Sequence, residues 1–461
     1  MRRLRQLAER TPVTRERYVD LLRALAITMV VLGHWGVTVI GYDRAGRPAG
    51  HSALGDLPWA WPLTWVAQVI PVFFLVGGYA NAASLAARRR RGGTPTGWLV
   101  DRSARLVRPT TALLVVLAAG AAVATLRGAD PAQVRTVVWF ATIPLWFLAA
   151  YLVVVPLTPP MYALHRRFGL AVPVVLVGLV ALGDAGRIWG PSGLATGNYL
   201  FGWLAVHQLG FAWYDSRTQE RSRGEAPEPR GLRRRRLPLS RTAGTALLAT
   251  GLVAVVLLTL VGPYPVAMLN VPGERLDNTA PPSLALLAVA TAQLGLILLL
   301  REPAGRWLRR PRPWRAVIAV NAVVLTVFLW HLTAAVLLVG LLDALGALPT
   351  PPVGSAAWWG WRIPWLLALT VVLAALVAVF GPIEARTRRP PATAPAGEGA
   401  RRLRTALAVL GYAGLVAGLL LNSLARKSAP EPLGLPAPAL VAYLAGAGVL
   451  RLLRSGWGSR G

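Results

Sequence analysis

Most of the chain alternates between two kinds of sequence: apolar runs of about twenty residues, long enough to cross a bilayer as a helix, and short clusters of arginine. Inside hydrocarbon every backbone N–H and C=O must be paired within the protein, and a continuous apolar run meets that demand only as a helix. Such runs fall at 20–41, 62–87, 110–126, 137–157, 170–188, 198–214, 242–262, 282–300, 316–341, 361–381, 405–424 and 438–453. The sequence therefore predicts an all-α, polytopic membrane helix bundle of about twelve transmembrane helices. Hydrophobic residues make up 55% of the 461, too many for an ordinary soluble domain.

The arginines then set the topology. They cluster at 88–108, 166/167, 233–236, 301–315, 386–404 and 451/454, on alternate connections, while the intervening loops carry little charge. The positive-inside rule places those connections, and both termini, in the cytoplasm of a multi-pass plasma (inner) membrane protein. A formal charge of +30 could suggest nucleic acid, but its division into clusters between apolar runs argues for topology and against a nucleic-acid partner. There is no cysteine, which excludes disulfides, thiolate metal sites and a cysteine nucleophile, and no metal is expected. The basic N-terminus runs into a full-length span without a convincing cleavage site, so the first span reads as uncleaved. The expected organisation is a basic cytoplasmic N-terminus (1–19), a ten-helix membrane domain (20–389) with a disordered cytoplasmic loop at 215–241, a Pro/Ala/Gly linker (390–404), and two further helices with a cytoplasmic tail (405–461). The linker sets the last two helices apart from the first ten.

The first span carries the residues hardest to explain by topology alone. Asp20, Arg23 and His34 lie in it, and Arg23 and His34 are eleven positions apart. That spacing returns to within roughly 20° of one helix face and separates them by about 16 Å. Polar groups inside a span are costly and mark pathways or sites. An imidazole can accept a proton from a hydroxyl near neutral pH, so His34 is a candidate general base; its bland alternative is a buried histidine bonded to a neighbouring helix. Asp20, three before Arg23, could orient that guanidinium or serve only the helix dipole. His331 sits deep in the span at 316–341, which also runs outward, and should reach the depth of His34. Arg102, Arg105 and Arg108 recur every third residue in G-W-L-V-D-R-S-A-R-L-V-R-P, an interfacial amphipathic helix leading into the third span, and two neighbours on such a face can hold phosphate oxygens. Asn81, Trp146, His207, Asn321 and Trp330 read as packing or helix–helix contacts.

Five fragments, in order, resemble the integral membrane proteins of acyltransferase family 3. They are Asp20, Arg23 and His34; F-F-L-V-G-G-Y-A-N (Phe73 to Asn81), with Gly77 where the family often has Ser; R-S-A-R-L-V-R-P; L-W-F-L-A-A-Y-L (Leu145 to Leu152); and F-L-W-H-L-T-A (Phe328 to Ala334). The resemblance implies an O-acyltransferase with a ten-helix core that takes an acyl group, acetyl being the simplest, from cytoplasmic acyl-CoA (acetyl-CoA) as donor substrate. The acceptor would be a hydroxyl of a glycan, lipid-linked sugar or small molecule, at the membrane lipids. It implies His34 and His331 as catalytic residues and Arg23 with Arg102, Arg105 and Arg108 as donor contacts, the working pair being 102/105 or 105/108. The alternative is a transporter of an amphiphilic anion in which Arg23 and His34 line a path and no bond is made.

Overall fold

The computed structural model describes residues 16–222, 236–385 and 397–455. In chain order its helices are α1 (Arg17–Val37), α2 (Thr64–Ala67), α3 (Ile70–Arg90), α4 (Pro95–Leu126), α5 (Pro131–Thr142), α6 (Leu145–Val154), α7 (Thr158–Phe168), α8 (Ala171–Trp189), α9 (Asn198–Ser222), α10 (Arg241–Val256), α11 (Leu284–Trp307), α12 (Pro311–Ala322), α13 (Val324–Ala344), α14 (Ala356–Ala385), α15 (Glu398–Leu424) and α16 (Ala437–Arg454). Local chemistry fixes several starts. The hydroxyls of Thr94, Ser240 and Ser283 each accept an N–H from the first turn of α4, α10 and α11, satisfying donors the helix itself leaves open.

Among the described residues ten helical segments are long and apolar enough to span a bilayer, and α5 with α6, bent by 52°, makes an eleventh if counted as one span. The twelfth expected span is α9, a 25-residue helix whose Asn198, His207 and Gln208 are buried by protein, which makes it too polar to be recognised by composition. The chain is thus a polytopic all-α membrane protein. The one sheet among the described residues, β1 (Thr38–Tyr42) with β2 (Pro48–Ser52), lies in the loop after α1.

Several boundaries differ from expectation. The arginine-bearing segment and the third span form one continuous helix, α4, because Pro109 is accommodated inside it. The span expected at 316–341 is instead broken at Val323, whose backbone (φ −131°, ψ 19°) separates α12 from α13. Residues 215–222 of the expected loop continue α9, and 223–235 lie outside the described residues. Of the expected linker, residues from Glu398 onward open α15, and 390–396 lie outside the described residues. The basic segment 1–15 and the tail 456–461 also lie outside them.

The chain forms two compact units. The first comprises the chain up to Gly33 with Ser52–Ala87 and Leu157–Asn321; the second comprises His34–His51, Arg88–Pro156 and the chain from Ala322. In the first, α3 and α9 approach so closely at Gly78 and Gly210 that a Cβ on either would collide with the other's backbone. Small residues permit the same intimacy in other membrane bundles, where packing and not hydrophobicity drives association. In the second unit, α15 and α16 pack against each other through Gly411, Gly414, Gly418 and Gly446. They are not set apart. Tyr412 donates to the Leu99 carbonyl (3.3 Å) and Tyr443 to the Val107 carbonyl (3.2 Å), both on α4. The fully buried Arg135 of α5 donates to Asn422 and to the Gly434 carbonyl.

Candidate active site

The last turns of α1 bring His34 and Trp35 into the second unit, where they meet α13. His34 Nδ1 lies 2.8 Å from His331 Nε2, with the two ring planes 14° apart and their centroids separated by 5.0 Å, so the imidazoles meet edge to edge. Trp35 donates its indole N–H to the His331 carbonyl at 2.9 Å, a second bond that holds the two helices in register. On the far side, His331 Nδ1 lies 2.6 Å from the Phe328 carbonyl.

These partners fix the tautomers. A carbonyl only accepts, so His331 Nδ1 carries the hydrogen, and in a neutral ring Nε2 is then the acceptor. The hydrogen shared between the rings must belong to His34 Nδ1. His34 Nε2 is left with a lone pair, and His34 makes no further side-chain hydrogen bond among the described residues. His331 is fully buried, whereas His34 is only half-buried. One imidazole is thus open to a reactant, and the other orients it from behind.

A run of aromatic rings leads from this pair to an arginine. His331 neighbours Phe328 (6.1 Å between centroids), Phe328 meets Phe147 edge-on (5.4 Å), and Phe147 stacks on Tyr151 (6.4 Å). The Arg102 guanidinium donates to the Tyr151 hydroxyl at 3.0 Å. The arginines of α4 diverge accordingly. Arg102 points to the ring run, Arg105 is exposed, and Arg108 lines a groove on another side of the helix. The start of α13 is held by Glu384 of α14, whose carboxylate accepts the Leu325 and Thr326 N–H groups and the Thr326 hydroxyl (3.1, 2.8 and 2.7 Å). A carboxylate at a helix N-terminus satisfies open donors and favours the dipole.

Beyond His34, Thr38 donates to the His34 carbonyl at 2.6 Å, and Arg362 donates to the Thr38 carbonyl at 3.0 Å while lying over the Trp358 ring at 4.0 Å. Asp20 and Arg23 sit together in the first unit, 3.5 Å apart, with Asn321 donating to the Asp20 carbonyl. Asn81 and His207 bond each other there (3.1 Å), Trp330 of the second unit stacks on Phe380 (3.9 Å), and Trp146 lies edge-on to its neighbour Phe147. These contacts are hydrogen bonds and ring contacts to neighbouring side chains and backbone. His34 and His331, expected only to lie at one depth, meet directly, and Asp20 stands beside Arg23. The sequence reading did not single out Trp35, Arg362 or Glu384, and it held Phe147 and Tyr151 only as letters of the L-W-F-L-A-A-Y-L fragment, with no role; a further signal was Arg362, an arginine at the sparsely charged end of a long apolar run.

A family model described as an acyltransferase domain, that of acyltransferase family 3, matches residues 16–383. No curated protein matches the chain, and no solved structure does.

Proposed function

Because the chain belongs to acyltransferase family 3 and is a multi-pass membrane acyltransferase, we propose that it moves an acyl group, acetyl being the simplest, from acyl-CoA to a hydroxyl of a glycan, lipid-linked sugar or small molecule. The observation that carries this reading is the open Nε2 of His34, whose lone pair is set by the hydrogen-bond order running through His331 to the Phe328 carbonyl. The acceptor hydroxyl gives its proton to His34 Nε2 as its oxygen bonds to the thioester carbonyl carbon. The imidazolium so formed is doubly protonated, and its Nδ1–H donates to the neutral His331, which favours the charged form. Collapse of the tetrahedral intermediate breaks the C–S bond, and the departing sulfur takes the proton back from Nε2. Every proton and electron pair is accounted for within His34 and the two substrates.

Arg102 is the donor contact that its geometry favours, since it is joined through Tyr151 and the ring run to the histidine pair; with Arg105, three residues on, it forms the working pair for coenzyme A phosphates. Arg23, oriented by Asp20, is a further donor contact in this reading. The donor enters from the cytoplasm of a plasma membrane protein with both termini inside, in keeping with the arginine clusters.

Release of free coenzyme A thiol from acetyl-CoA by the purified protein in detergent, with and without an envelope glycan extract, tests the reading. Acceptor-stimulated release that disappears in His34→Ala and persists with a raised KM for donor in Arg102→Ala is the expected result. No release with any acyl donor or acceptor, together with anion uptake into reconstituted vesicles, would replace it with the transporter.

A further inference from the structure

A groove of about 750 Å³ opens on the second unit along α4, the end of α14 and α16. Its wall on α4 runs from Ser103 to Val115 and on α16 from Leu444 to Arg454, which is about 15–18 Å of helix. That length is about half of a 30 Å hydrocarbon core, the depth of one leaflet. The two ends of the groove differ. Arg108, Arg451 and Arg454 gather at one, whereas Val107, Val115 and Leu444 line the rest, and Val115 and Leu444 are exposed on the outside of the helices. Arg108 and Arg454 also border a narrow adjoining cleft with Arg105 and Glu384. Three arginines against the one carboxylate of Glu384, which is turned to the start of α13, leave the cleft positive beside the groove's mouth.

We infer that this groove binds one anionic phospholipid, its phosphate on Arg108, Arg451 and Arg454 and an acyl chain along the apolar wall. Three lines of physical chemistry select that occupant. A cluster of arginines holds phosphate oxygens by charge-assisted, often paired hydrogen bonds. Basic pockets between membrane helices take lipid phosphates in the same way. The apolar wall faces outward along one leaflet, where a soluble nucleotide would gain nothing from it. Six of the fourteen lining residues come from α16, which lies beyond residue 383, where the family match ends, so the groove is completed by a helix outside that match. The inference is separable from the donor reading: Arg102 faces Tyr151 and takes no part in the groove, and Arg105, which borders only the adjoining cleft, is left unchanged in the test.

The test uses the full chain, delipidated in non-ionic detergent, and the change in Tm on adding phosphatidylglycerol, phosphatidylcholine, glycerol phosphate or coenzyme A. Phosphatidylglycerol alone is expected to raise Tm by about 5 °C at saturation. The Arg451→Gln/Arg454→Gln double variant is expected to lose that shift. So is Gly448→Leu: Gly448 lines the groove and no heavy atom lies within 4 Å of a Cβ built on it, so a side chain there starts into open space on the groove's wall, and leucine favours the helix over glycine. An equal shift from phosphatidylcholine, or a full shift retained in the double variant, would overturn the inference. A shift given by glycerol phosphate or coenzyme A and lost in the double variant would also overturn it, in favour of a site for soluble anions. Should the double variant melt early without lipid, native mass spectrometry of the other two proteins decides: one phosphatidylglycerol retained by wild type and none by Gly448→Leu supports the site, and equal retention rejects it.

Discussion

Two buried polar clusters, one in each unit, are satisfied in opposite ways. In the first, the Asp184 carboxylate accepts from Asn198 (3.0 Å), the Tyr264 hydroxyl (2.8 Å) and the Leu284 N–H (2.8 Å), with Arg187 at 3.6 Å. Beside it Asn278 donates to the Pro265 and Ala267 carbonyls and accepts from Ser283. In the second unit, the His34–His331 pair is saturated on one side only, ending at the Phe328 carbonyl and leaving His34 Nε2 open. A group whose partners are all internal stabilises a fold, because nothing remains to offer a ligand. A group held from behind and open in front is arranged for reaction.

Replacing one member from each cluster should separate these roles. The largest effect is expected for His34→Gln, which keeps an amide at the pair but no base: turnover should fall roughly 10²–10⁴-fold with Tm unchanged, measured by thiol release and a thermal melt. An equal loss of stability would place the pair with the structural cluster. Asp184→Ala should do the reverse, costing roughly 3–5 kcal/mol in an unfolding titration while the folded fraction turns over normally. His331→Gln is milder, because Nε2 of the remaining His34 can still accept; about a tenfold loss in kcat, or 1.4 kcal/mol, is expected with KM unchanged. The smallest change should come from Tyr151→Phe, which removes one hydrogen bond from Arg102 and should raise the donor KM by roughly two- to fivefold at constant kcat.

The spans and the histidine were legible in the sequence for the same reason: a bilayer penalises polar atoms so heavily that apolar length and its exceptions both carry information. The shared depth of His34 and His331 was legible too, though counted from the wrong start, whereas their meeting was not. The helix bearing His331 begins at Val324, after a break whose capping group, Glu384, comes from a helix some sixty positions later. No local pattern reveals a cap supplied from that distance. Pro109 misled in the opposite direction, marking a boundary in sequence that α4 passes through. Tyr151 and Phe147 were visible as part of the L-W-F-L-A-A-Y-L fragment, but their roles could not be assigned from sequence, since an aromatic residue in an apolar run has no defined contact until its neighbours across the bundle are known. Arg102, Arg105 and Arg108 were legible as a set, but their division between the ring run and the groove depends on which helices cover each side of α4.

The histidine pair joins residues 297 positions apart in the chain. A polypeptide emerging from the ribosome threads α1 into the membrane first, with His34 alone, and gains His331 only after the intervening spans have followed. Until then the bond that sets the His34 tautomer does not exist. A truncated or half-inserted chain therefore carries His34 without the partner that orients it, and the pair is complete only when insertion has gone nearly to its end.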